Sequence, residues 1–298
     1  MSLPALAICL LAAASQSPPV PGSYVPERVY DTRRGAFADF EVMLGDIASA
    51  DVVLVGEQHD DPNTHRLEAA MLHGLHRRGA SVTLSLEMFE RDVQSSLDEY
   101  VAGKMSEETF LAQSRPWPRY ATDYRALVEF AIANRWPVIA ANVPRKYASI
   151  VAKAGLAALE TLQPAERAHA ARDVECPLDR YYERFAETMN SHPMPGSESK
   201  PEAERRATNE RYYFAQCVKD ETMAESIAAI VERRGGPVVH YNGAFHSDFG
   251  AGVAERVRRR LPSRRIVVIT MLPVANLDTL APEGDDLKRA DYLVYTVK

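Results

Sequence analysis

Twice in this chain a short apolar run ends in a Gly-x-x-His tetrad. Val52 to Val55 runs into Gly56-Glu57-Gln58-His59, and Val238-Val239 leads through His240-Tyr241-Asn242 into Gly243-Ala244-Phe245-His246. In an open α/β sheet, ligands bind at the loops leaving the carboxyl ends of the strands, so two imidazoles delivered in this way are expected to share one crevice. Glu57 and His59, two residues apart, are able to ligate a metal or to work as an acid/base pair once a second loop completes the site. The plainer alternative is that Asp60 or Asp61 caps the following helix while Glu57 and His59 stand in solvent.

Other polar residues close apolar runs in the same manner. Glu87, in Ser85-Leu86-Glu87-Met88-Phe89-Glu90-Arg91, ends the second run and is costly to bury unpaired, so it should meet a cation, a metal or a histidine; Arg91 is the local candidate. The third run ends in Asn142-Val143-Pro144-Arg145, where Arg145 could hold a carboxylate through two parallel hydrogen bonds or stand as an ordinary surface arginine. Gln216, Asp220, Met223 and Ile227 follow at spacings that form one helical stripe, so either this stripe faces the crevice, with Asp220 bonding a loop or ligand, or it turns to solvent. The former is the expectation. His65, His73 and His76 fall off the apolar stripe of their helix and read as surface residues, while His240, inside a strand, reads as a core histidine. His246 differs, because Gly243, Gly250 and Gly252 permit close approach of backbone to a ligand.

The elements that must position these residues alternate. Strands are expected at Asp51–Val55, Ser81–Leu86, Pro137–Ala141, Pro237–Tyr241, Ile266–Met271 and Tyr292–Val297. Between them lie helical patterns, the first opened by Asp61-Pro62 as cap and first helical residue and closed by Gly79. The expected fold is therefore α/β, a mainly parallel sheet with helices on both faces. Residues 162–211 are charged and contain Tyr181-Tyr182 and a turn-rich Ser191-His192-Pro193-Met194-Pro195-Gly196, which marks a helical insertion between two core segments, 28–161 and 212–298.

The 298 residues are 46% hydrophobic and 26% charged, enough for one large or two smaller domains. A net charge of -6 with scattered Lys and Arg excludes an electrostatic footprint for nucleic acid. Cys9, Cys176 and Cys217 spell neither a CxxC pair nor a disulfide framework, and no cysteine metal site follows. Leu3 to Ala14 is apolar but shorter than the roughly 20 residues a membrane span needs, and Ala12-Ala13-Ala14-Ser15 offers a cleavage-like site. Residues 1–27 thus read as a signal-like segment followed by a proline-rich spacer, and export is expected. Bulky Ile8 before Cys9 disfavours a lipoprotein signal.

Taken together, Gly56-Glu57-Gln58-His59-Asp60, Leu86-Glu87-Met88-Phe89-Glu90-Arg91 with Gln94, Ala140-Ala141-Asn142-Val143-Pro144-Arg145, Ala215-Gln216 with Asp220 and Met223-Ala224, and Gly243 to His246 resemble the ChaN-like haem-binding uptake proteins of the Tiki and TraB superfamily. The resemblance spans most of Val52 to Arg260. It implies an iron-regulated, exported protein, periplasmic or attached to the outer membrane, that stores or passes on haem, alongside an outer-membrane haem receptor system. It further implies haem held between two subunits by a tyrosine of one, with a histidine of the other nearby; Tyr181, Tyr182 and His192 are the candidates here. Tyrosinate is a recognised axial ligand that suits ferric iron. The polar crevice of Glu57, His59, Glu87, Arg91, Asn142, Arg145, Gln216, Asp220 and His246 is then a second site. The wider superfamily implies an alternative, a divalent-metal hydrolase or peptidase with His59, Glu87, His246 and Glu57 around the metal.

Overall fold

The computed structural model describes residues 27–192 and 201–298. The signal-like segment and spacer, Glu27 apart, and the turn-rich stretch from Pro193 lie outside the described residues. In chain order the strands are β1 (Glu27–Asp31), β2 (Ala36–Ala38), β3 (Val52–Glu57), β4 (Thr83–Glu90), β5 (Val138–Asn142), β6 (Val238–Gly243), β7 (Ile266–Val274) and β8 (Tyr292–Val297). The α-helices are α1 (Phe40–Ile47), α2 (Pro62–Arg77), α3 (Gln94–Val101), α4 (Glu107–Ser114), α5 (Arg125–Ala133), α6 (Arg145–Ala154), α7 (Pro164–Arg167), α8 (Arg180–Ser191), α9 (Glu202–Arg234) and α10 (Gly252–Arg260).

The eight strands of the described residues form one sheet in the order β2-β1-β8-β7-β3-β6-β4-β5. Strands β8 through β5 run parallel, as expected, and β1 and β2 add an antiparallel margin that the alternation of strands and helices did not reveal. Period-two alternation sends neighbouring side chains of β3 to opposite cores. Val53 and Val55 join Met71, Leu75 and Leu127 of α2 and α5 on one face. Val52 and Leu54 join Met223, Ile227, Val253 and Val257 of α9 and α10 on the other. Each such side chain contributes about 1.5–3 kcal/mol on burial, which fixes the register of β3 and hence where Glu57 emerges.

Helix α2 begins as the sequence predicts, with the Asp61 side chain accepting from the backbone N–H of Asn63 and Thr64 and Pro62 in the first turn. Helix α9 runs unbroken for 33 residues and passes through Arg211 without interruption, so the segment carrying α7 and α8 is tied to the core by a shared helix. A second tie corrects the reading of the cysteines: Cys176 and Cys217 are joined by a disulfide, 41 residues apart. Spacing alone does not announce such a pair, because the bridge links the strap before α8 to the middle of α9.

Candidate functional site

The carboxyl ends of β3, β4, β5 and β6 lie side by side and open into a crevice of about 610 Å³. Strands β3 and β6 pair in parallel with Glu57 opposite Gly243, so the two tetrads leave the sheet as neighbours. Their contact is reciprocal. A Cβ at Gly243 would sit 2.6 Å from His59 Nε2, and one at Gly56 would sit 2.9 Å from the Ala244 Cα. Only glycine at these two positions lets the loops close on each other.

On the first loop, His59 Nδ1–H donates to Glu57 Oε1 at 2.5 Å, and Tyr124 donates its hydroxyl to the same oxygen at 2.6 Å. Glu57 is fully sequestered while His59 keeps 45% of its side chain exposed, with its ring edge-on to Trp117 at the crevice wall. Partial burial disfavours the His59 charge, but the bonded Glu57 and nearby Glu87 outweigh it and raise its pKa.

The second loop is gripped more tightly. His246 Nδ1–H donates to Asp220 Oδ1 at 2.5 Å, and its Nε2 faces Glu87 Oε1 at 3.3 Å. Asp220 also accepts from the Tyr181 hydroxyl at 2.9 Å. Strand β4 slips against β5 between Leu86 and Glu90, and this irregularity re-aims Glu87 so that its other oxygen accepts the Gly243 N–H at 2.8 Å. Burial opposes a charge on His246, but Glu87 and Asp220 prevail and raise its pKa to about 9. The same pairing overcomes burial to hold Glu87 below the usual carboxylate range. At neutral pH, as arranged here, His246 is therefore an imidazolium between two carboxylates, an electrostatic post with no free base lone pair.

Glu57, His59, Glu87, Asn142, Arg145, Gln216 and His246 all line the crevice, with Asp220 directly behind His246. The helical stripe of α9 thus faces the crevice at its Gln216 and Asp220 end and the core at Met223 and Ile227. Arg91 must be withdrawn from this group. It turns to α9, bonding Glu225, Ser226 and the Thr222 carbonyl, and Glu87 finds His246 instead. His65 is likewise no surface residue: it is buried against Glu57, Glu68 and Asp123. His73 and His76 are exposed as expected, and His240 is a core histidine bonded to Ser85, with burial lowering its pKa to about 3.

The tyrosine candidates part company. Tyr181 is buried with its hydroxyl committed to Asp220. Tyr182 packs against Tyr213 with a hydroxyl that has no hydrogen-bond partner among the described residues, and His192 is exposed at the end of α8. The donors of the alternative metal set stand as two separate pairs, Glu57 with His59 and Glu87 with His246. Tyr124, Glu68 and Asp123, which stand with His65 behind Glu57, are residues the strand ends do not announce; the available signal was the i, i+3 spacing of His65 and Glu68 on α2.

Similarity to known proteins gives the family. Residues 43–257 match the family model described as haem-binding uptake, Tiki superfamily, ChaN. The chain belongs to the ChaN family. Among solved structures it resembles the Campylobacter jejuni ChaN, described as binding haem cofacially, with a TM-score of 0.66, 17% identity, and 92% and 98% of the two chains covered. It also resembles a Bacillus cereus protein at TM-score 0.50 and 13% identity, covering 86% and 90%. These likenesses establish the fold, and the family match carries the sequence resemblance to ChaN through. A curated relative, the chloroplastic RETICULATA-RELATED 5 protein of Arabidopsis thaliana, is 24% identical over 262 residues, 84% of this chain. The chain spans about a third (34%) of that relative's length.

Proposed function

We propose that this chain binds ferric haem at the mouth of the crevice, for uptake or storage outside the cytoplasm, and that a second copy closes over the haem. The observation that carries the reading, beside membership of the ChaN family, is the character of the walls. Trp117, Phe185, Met189 and Phe245 line the crevice with flat and polarisable apolar groups, while Arg145 and Lys219 line it with cations that have no ion-pair partner among the described residues. An apolar macrocycle bearing carboxylates matches both. Bound haem would supply the iron, and the protein would supply an oxygen ligand and charge neutralisation.

Of the tyrosine candidates, Tyr182 is the better supported ligand: it does not itself line the crevice but stands three residues before Phe185 of α8, which does, whereas Tyr181 would have to abandon Asp220. His192 ends the same helix exposed, which suits contact across a subunit boundary. The Cys176–Cys217 disulfide supports an oxidising, exported setting.

Titration of the purified full chain with ferric haem, followed by absorbance and sedimentation, tests the reading. The expected result is a saturable Soret shift with association to a dimer, weakened by at least roughly tenfold in Tyr182→Phe and kept in Tyr181→Phe. Absence of saturable binding would overturn haem as the ligand; an unchanged titration in Tyr182→Phe would overturn the ligand assignment.

A further inference from the structure

Beneath the crevice floor, behind Glu57, lies a second polar cluster that the haem reading does not use. Glu57, His65 and Glu68 each offer one ligand atom, and these atoms all lie within 4.8 Å of one another. All three residues are buried, with Glu57 1% and Glu68 0% exposed. Glu57 Oε2 and Glu68 Oε1 have no hydrogen-bond partner, which in so dry a place is costly unless a cation or proton lies between them.

The surroundings hold each group by its far side. Glu57 Oε1 is occupied by Tyr124 and His59, leaving Oε2 turned toward His65 Nδ1 at 3.6 Å. His65 Nδ1 is 3.1 Å from Glu68 Oε2, while its Nε2 lies 3.3 Å from the His59 carbonyl and 3.4 Å from Asp123 Oδ2. A metal-bound histidine characteristically donates its second ring N–H to a backbone carbonyl or carboxylate, which fixes the tautomer and frees the first nitrogen for the ion. Both kinds of acceptor are present here.

We propose that Glu57, His65 and Glu68 bind a divalent cation of the zinc or manganese class, with Asp123 as the positioning residue behind His65. One imidazole and two carboxylates suit such borderline ions better than magnesium or calcium, which favour all-oxygen shells. The site shares only Glu57 with the metal arrangement expected from the superfamily resemblance. Glu57 also belongs to the crevice lining, which puts the cluster directly beneath the crevice. Burial and the facing Glu57 raise the Glu68 pKa well above the carboxylate range, so a shared proton is the competing occupant.

The haem-free full chain is stripped with EDTA, loaded with zinc chloride or manganese chloride, freed of excess metal by gel filtration, and assayed for metal by mass spectrometry. The expected result is about one ion per chain, lost in the isosteric Glu68→Gln and held about tenfold more weakly in Asp123→Asn. Folding of each variant is checked by circular dichroism. Should Glu68→Gln not fold, X-ray absorption of the zinc-loaded parent decides: one imidazole in the shell supports the site, and two overturn it in favour of His59 with His246. Failure of the parent to retain either metal, or retention unchanged in Glu68→Gln, also overturns it. Because haem is absent throughout, these outcomes are independent of the haem titration.

Discussion

Gly243 makes room for His59: the backbone of the second tetrad passes so close to the imidazole of the first that a methyl group would sit 2.6 Å from Nε2. The contact couples the loops after β3 and β6 and holds His59 where Glu57 can grip it. Gly243→Ala is expected to push the ring aside and weaken the Glu57 bond, costing about 1 kcal/mol. In a His59→Ala background the same change should cost nothing, because the obstructing ring is gone; a double-mutant cycle of chemical denaturations measures the difference. Gly56→Ala meets the Ala244 backbone and the Ser247 hydroxyl, neither of which His59→Ala removes, so its cost, about 1–3 kcal/mol, should persist in that background.

The imidazolium of His246 makes stability fall at alkaline pH. Its folded pKa of about 9 lies above the ordinary histidine value of about 6.5, so the stabilisation is complete below about pH 6.5 and is lost as pH rises through 9. Asp220→Asn removes one of the two carboxylates and so lowers the folded pKa, and the alkaline loss should be smaller and end at lower pH. Urea denaturation across pH 6 to about 10 reads both curves, and His246→Gln should flatten this part of the profile.

Opening the Cys176–Cys217 bridge frees a loop with ends 41 residues apart, for which chain entropy predicts a loss of about 4 kcal/mol. Denaturation with and without reductant gives the value. Thiol titration of the unreduced, unfolded chain should find neither Cys176 nor Cys217 reactive.

Arg91→Ala separates packing from ligand binding. The guanidinium holds Glu225, Ser226 and the Thr222 carbonyl, so its loss should destabilise the chain by about 2 kcal/mol through stranded partners. The haem titration midpoint should not move. A large change in haem affinity would return Arg91 to the crevice.

Much of the architecture is legible because it repeats. Tyr292–Val297 coincides with the expected strand, and Asp61-Pro62 opens α2 as its residue types require. The margin formed by β1 and β2 carries little local signal, because β1 pairs with β8, more than 250 residues away along the chain, and β2, paired to β1, is only three residues long. The crevice was foreseeable to the extent that each polar residue follows a buried strand. Arg91 breaks that rule, since it follows β4 in sequence yet its long side chain reaches α9.

By sequence alone, the periodicity of apolar residues determined a parallel α/β sheet, and the two tetrads determined that His59 and His246 would emerge at one edge. That follows from local physics: side-chain alternation, strand length and caps depend on near neighbours. Which carboxylate each histidine meets, the burial of His65 with Glu68 behind Glu57, the union of Cys176 with Cys217, and the commitment of Tyr181 to Asp220 were decided only in three dimensions. Each depends on angles between elements far apart in the chain, and burial then sets whether a group is charged, bonded or left to find a partner.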